Sequence, residues 1–140
     1  MIVLDTNVIS EMTKIAPSPA VSAWLDSQRA DTLYLTTITI AEIGFGIACL
    51  PEGKRRTALL DALNQTQEVF SGRVLSFDHG AALAYASLAS SARRAGKGFP
   101  TPDGFIAAIA ADHGFAVATR DTGPYEAGGL VIVNPWEQRP

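Results

Sequence analysis

The sequence is poor in cysteine, histidine and excess positive charge, and each shortage narrows the function. Cys49 is the only cysteine in 140 residues, so no internal disulfide is available, which fits a reducing compartment. It lies in an apolar stretch and is expected in the core. The two histidines, His79 and His113, sit in unrelated places, so a zinc site is disfavoured. His113 reads as a helix-end cation and His79 as a surface residue. Eleven basic against fourteen acidic residues give a net charge of -3, which argues against a protein that only coats nucleic acid. An enzyme that meets nucleic acid through local basic patches and bound cations stays open. No apolar run approaches the roughly 20 residues needed to cross a bilayer. Met1 leads straight into a strand-like run and an acid, unlike a secretory signal, so the expected location is the cytoplasm, with no membrane contact. Repeats, low-complexity tracts and long linkers are missing too. With 47% hydrophobic residues, the chain is expected to fold as one domain over 1–140.

What is present alternates short β-like runs with longer helical ones. Ile2–Leu4, Leu33–Thr36, Val74–Phe77, Phe115–Ala118 and Leu130–Val133 read as strands. Helices are expected from Asn7 to about Thr13 and from Ser18 or Pro19, with Val21, Trp24 and Leu25 on one face. Ile40, Ile43, Ile47 and Leu50 recur at helical spacing, and Pro51 and Gly53 break that run. Further helices are expected from Glu52 to Glu68, and from an Asp78 N-cap to about Ala95. Thr101-Pro102 predicts a hydroxyl cap with proline at the first helical position, and Gly114 closes that helix. Strands separated by helices predict a parallel sheet covered on both faces, a three-layer α/β/α sandwich.

Parallel strands end on one sheet edge, where α/β proteins build their sites. Asp5 follows the first strand, Glu42 is placed in the first turn of the helix after the second, and Asp121 follows the Phe115–Ala118 strand. Asp103 starts a helix about 15 Å long that runs back along the strand it feeds, which brings it near Asp121. Each acid also has a local explanation. Asp5 could cap a helix or make an Asx-turn, and Glu42 could close a capping box with Thr39. Asp103 could complement its helix dipole, and Asp121 could be a turn residue in Asp-Thr-Gly-Pro. Two carboxylates ~4 Å apart repel by about 4 kcal/mol at an effective dielectric near 20. Four that converge need protons or cations, and all-oxygen ligands favour magnesium or manganese. Glu11 and Asp112 are expected to face solvent.

Five stretches, LDTNVISE at 4–11, ITIAEIGFG at 38–46, TPDGFIAAIAADHG at 101–114, VATRDTG at 117–123 and VIVNPW at 131–136, resemble PIN-domain proteins in order and along essentially the whole chain. The resemblance is greatest to VapC-like and FitB-like toxins of toxin–antitoxin modules. It implies a Mg2+- or Mn2+-dependent endoribonuclease whose acids are Asp5, Glu42, Asp103 and Asp121, with Asn7 and Thr119 supporting the carboxylates. Thr6 and Arg120 stand between a role there and a plain helix-start hydroxyl and surface cation. Many relatives place another acid or polar residue roughly where Pro124 and Tyr125 stand here, so one ion is expected to bind well and a second only with substrate. The resemblance further implies an RNA substrate, a homodimer, and an antitoxin with a DNA-binding domain through which alone operator DNA is reached. A groove leading to the acids would take that partner's C-terminal segment. The alternative it leaves open is a regulatory protein with little catalysis of its own. Lys54-Arg55-Arg56, and Arg93-Arg94 with Lys97, are candidate RNA guides or plain solvated helix faces.

Overall fold

Five short strands lie parallel in the computed structural model, which describes residues 1–138. They are β1 (Ile2–Leu4), β2 (Leu33–Thr36), β3 (Val74–Leu75), β4 (Ala116–Ala118) and β5 (Ile132–Val133), ordered β3-β2-β1-β4-β5. Seven helices connect them among the described residues: α1 (Thr6–Met12), α2 (Pro19–Ser27), α3 (Thr37–Ala48), α4 (Lys54–Val69), α5 (His79–Arg94), α6 (Thr101–His113) and α7 (Thr122–Ala127).

The strands alternate, and each face of the sheet buries its own layer. Leu4, Leu33, Leu35 and Ala118 pack with Val8, Ile9, Val21 and Trp24 of α1 and α2. Val3 and Val117 pack on the other side with Ile106, Ala107 and Ala110 of α6 and Tyr125 of α7. Each Val, Leu or Ile side chain so buried contributes about 1.5–3 kcal/mol. The result is the three-layer α/β/α sandwich expected from the alternation of elements. Gly104 of α6 is buried, and a Cβ there would come within 3.0 Å of the Phe99 and Tyr85 rings. The first turn of α6, which carries Asp103, is therefore seated closely against its neighbours.

Several expectations need correction. Helix α3 begins at Thr37, because the Thr36 hydroxyl accepts from the Thr39 amide at 3.1 Å and so caps it. Thr39 thus lies inside the helix, the Thr39–Glu42 capping box does not form, and Glu42 falls in the second turn. Pro100, not Thr101, occupies the N-cap of α6, and no side chain caps that helix. The glycine end is as expected, with Gly114 left-handed at φ 70°. Asp78 caps α5 by accepting from the Ala81 amide at 3.0 Å. Strands β3, β4 and β5 are shorter than the apolar runs that encode them. Cys49 is exposed rather than in the core, because it stands just past the last residue of α3. Glu11 is buried. Its carboxylate accepts from Lys14 Nζ at 2.6 Å and from the Ser18 amide at 2.8 Å, tying α1 to the start of α2. Those two partners hold its carboxyl below the usual carboxylate range. Asp112 is exposed, as expected.

Candidate active site

The chain leaves β1 for β2 on one side, and β4 occupies the other. That reversal makes a crevice at the carboxyl end of β1. Asp5 is the first residue beyond the strand, and its amide donates to the Ala118 carbonyl at 3.0 Å. Its Oδ1 accepts from the Thr6 amide at 2.7 Å, so the residue caps α1. Its Oδ2 accepts from Thr119 Oγ1, also at 2.7 Å, across the sheet edge. Asp5 is therefore a helix cap whose other oxygen is tied to Thr119 across the sheet edge. Burial raises its carboxyl pKa, with a smaller push from the Glu42 charge, against the lowering effect of its hydrogen bonds.

Glu42, freed from the capping box, accepts from Thr6 Oγ1 at 2.8 Å. Thr6 Oγ1 also lies 3.1 Å from Thr39 Oγ1, and Thr36 Oγ1 donates to Thr39 Oγ1 at 3.4 Å. A row of three threonine hydroxyls thus backs Glu42. Asp103 sits half-buried in the first turn of α6. Its pKa is pushed up to about 6, by burial first and then by the charges of Asp5, Glu42 and Asp121. Asp103 is thereby within electrostatic reach of the other three acids. Asp121 precedes α7 and makes no side-chain cap. Its amide donates to Thr119 Oγ1 at 3.0 Å, and its exposed carboxylate accepts from Asn7 Nδ2 at 3.5 Å.

Residues 2–130 match the PIN domain family model. The chain belongs to the PIN-domain family. Its relatives there include a VapC ribonuclease and a FitB toxin. The VapC ribonuclease Y4jK of Sinorhizobium fredii is 54% identical over 98% of this chain and 99% of its own length. Toxin FitB of Neisseria gonorrhoeae is 45% identical over 97% of this chain and 99% of its own. The structure of FitAB bound to a DNA fragment superposes with a TM-score of 0.94, at 44% identity, over 99% of this chain and 98% of that one.

The donors of this PIN domain suit a hard divalent cation held partly by water. Among the described residues no three acidic, histidine or cysteine side chains stand close enough to grip an ion by themselves. Mg2+ typically keeps several waters and uses only one or two carboxylates, so an open group of acids fits it better than it fits an ion needing a full protein cage. The Tyr125 hydroxyl is buried beside the Asp5 carboxylate, close enough to help lower its pKa by donating toward it, though short of a hydrogen bond of normal geometry.

Asn7 and Thr119 stand where a supporting role requires. Asn7 Nδ2 donates to Thr119 Oγ1 at 3.2 Å and reaches Asp121 Oδ2 at 3.5 Å, while its Oδ1 accepts from the Arg120 amide at 3.4 Å. The Arg120 guanidinium lies over the Trp136 ring, 5.1 Å from its centroid, and away from the acids' hydrogen bonds. Pro135 is buried and Trp136 packs on the core, as expected of them. Arg55 lines a groove of about 370 Å³ together with Thr6 and Glu42. Lys97 shares a surface hollow with Pro100, Gly123 and Pro124, next to the starts of α6 and α7. Lys54, Arg93 and Arg94 are exposed, and Arg56 is 4.0 Å from Glu52. Reading the sequence missed that Thr36, Thr39 and Tyr125 stand behind these acids. The signal for Tyr125 was Asp121-Thr-Gly-Pro, which starts a helix: an acid before it and a proline in its first turn.

Proposed function

We propose that this PIN domain, spanning 1–140 with its last two residues outside those described, is a Mg2+- or Mn2+-dependent endoribonuclease. The observation that carries this reading is Asp103, whose carboxyl feels three other carboxylates brought from distant segments to one sheet edge. Such a concentration of negative charge is unfavourable unless a cation answers it. Asp5, Asp103 and Asp121 would hold that ion partly through water, since no three acids among the described residues stand close enough to grip it alone. Lewis acidity is what a divalent ion supplies in such a site, acidifying water and offsetting charge on a phosphodiester. Glu42, steadied by Thr6, would orient water or bind the same ion. Thr119 and Asn7 fix the Asp5 and Asp121 groups. Arg55 and Lys97 flank the acids and would draw in the RNA backbone.

The toxin role brings an antitoxin with it, and the FitAB–DNA relative supports one that carries the pair to operator DNA. The groove from Arg55 to Glu42, lined by Ile43, Ile47 and Leu50, suits an apolar partner segment that ends in a cation facing Glu42. The working form is a homodimer in the cytoplasm. No helix among the described residues is long and apolar enough to cross a membrane.

Asp103→Asn should abolish Mn2+-supported RNA cleavage, by orders of magnitude, in a protein that still melts cooperatively. Undiminished cleavage would refute the assignment. The open spacing of the acids favours one second reading, a toxin that acts mainly by holding its DNA-binding partner. Mn2+ binding by the wild type without any RNA cleavage would select it.

A further inference from the structure

The hydroxyls behind Glu42 can be followed hydrogen by hydrogen. Thr36 Oγ1 accepts from the Thr39 amide at 3.1 Å and donates its own hydrogen to Thr39 Oγ1 at 3.4 Å. Thr6 Oγ1 donates its own to Glu42 Oε1 at 2.8 Å. The remaining contact, 3.1 Å between Thr39 Oγ1 and Thr6 Oγ1, is left to the hydrogen of Thr39. A hydroxyl carries a single donor, so the order Thr36 to Thr39 to Thr6 to Glu42 runs in one direction. Were Thr6 to donate to Thr39 instead, Glu42 would lose its donor.

Thr36 and Thr39 are buried at the turn from β2 into α3, whereas Thr6 is the half-buried first residue of α1. A threonine side chain in a helix divides between two χ1 wells. In the well that Thr6 occupies, its oxygen both accepts from Thr39 and donates to Glu42. We propose that Thr39 is a positioning residue for Glu42: its buried hydroxyl, itself held by Thr36, keeps the Thr6 hydroxyl turned toward the Glu42 carboxylate. Thr39 touches Glu42 only through Thr6. A carboxylate so held presents one orientation to water or ion, and this consequence rests on the metal-dependent nuclease reading given above.

The test compares Thr39→Val, which keeps the side-chain shape and removes the hydroxyl, with Thr39→Ser, which keeps the hydroxyl. Three-bond NMR couplings to the Thr6 methyl carbon report its χ1 in the metal-free full chain. Wild type and Thr39→Ser should show one well, and Thr39→Val should show averaging between wells. RNA cleavage with saturating Mn2+ should lose about 3- to 10-fold in kcat in Thr39→Val, with KM little changed and Thr39→Ser restoring it. That loss is smaller than the 10–100-fold expected of a group in direct contact with a ligand, because Thr39 acts one bond further out. On a Thr6→Val background, adding Thr39→Val should cost no further kcat. A Thr6 side chain that keeps its single well in Thr39→Val would overturn the proposal, as would kcat losses from the two valines that simply add. The wild type supplies a measurement that needs no variant to fold: couplings already averaged between wells would overturn it too. Wild-type protein that cleaves no RNA with Mn2+ would overturn the nuclease reading, and the couplings would still decide the role of Thr39.

Discussion

Replacing Asp103 by asparagine should make the metal-free protein more stable at neutral pH while removing its function. The carboxyl titrates near 6 in the fold against 3.8 for an unhindered aspartate, because burial and three neighbouring carboxylates oppose its charge. That gap corresponds to about 3 kcal/mol of disfavoured charge. The side chain is only half-buried, so solvent screening reduces the figure to about 1.5 kcal/mol. Loss of a favourable charge at the start of α6 takes back a few tenths. The sign follows from the raised value. Protonated Asp103 favours the folded state below pH 3.8, and this advantage is lost as pH rises through 6. Asp103→Asn should therefore gain about 1 kcal/mol at pH 7.5, or about 4 °C in melting temperature, and nothing at pH 4. Denaturant melts in EDTA at both pH values measure it. Saturating Mn2+ should reverse the order, since an ion at 100 times its Kd stabilises the wild type by about 2.7 kcal/mol. A pH-independent gain, or a loss at pH 7.5, would contradict mutual repulsion among the acids.

Thr119→Val leaves Asp5 Oδ2, the Asp121 amide and Asn7 Nδ2 without their shared partner, and should cost about 1–3 kcal/mol in urea denaturation. Thr6→Val frees Glu42 from its 2.8 Å bond and should lower Mn2+-dependent cleavage by about 10-fold or more, with the melting temperature changed by only a few degrees. Changing Lys54, Arg55 and Arg56 together to alanine should flatten the salt dependence of RNA binding, by a slope of ~0.7 for each phosphate no longer neutralised. An unchanged slope would return those residues to a plain solvated face. Apparent Mn2+ affinity should fall as pH drops through about 6, where a proton competes for Asp103.

The architecture was legible because apolar runs of strand length alternate with helical ones, and β1 and β2 lie where those runs predict. That Asp103 feels the charges of Asp5, Glu42 and Asp121 agrees with the expectation that strand ends in a parallel sheet share an edge. Local capping was legible only in part, since Asp78 and Gly114 act as expected while the start of α3 does not. Thr36 and Thr39 both fit an N-cap, and only the turn out of β2 decides that Thr36 takes it, which moves Glu42 a turn along α3 and into the hands of Thr6. Glu11 looked like a surface acid because its partners, Lys14 and the Ser18 amide, are fixed by the bend between α1 and α2, which no periodicity encodes. Helix α7 was hidden behind a glycine and a proline that suggest a turn. Tyr125 was hidden with it, although it sits one helical turn after Asp121.

The gathering of these carboxylates around a divalent ion is tested most directly by soaking crystals of the protein in MnCl2 and mapping the anomalous signal. A peak bounded by the Asp5, Asp103 and Asp121 carboxylates is the expected result. No peak between them at saturating Mn2+, or one only elsewhere on the surface, would contradict it.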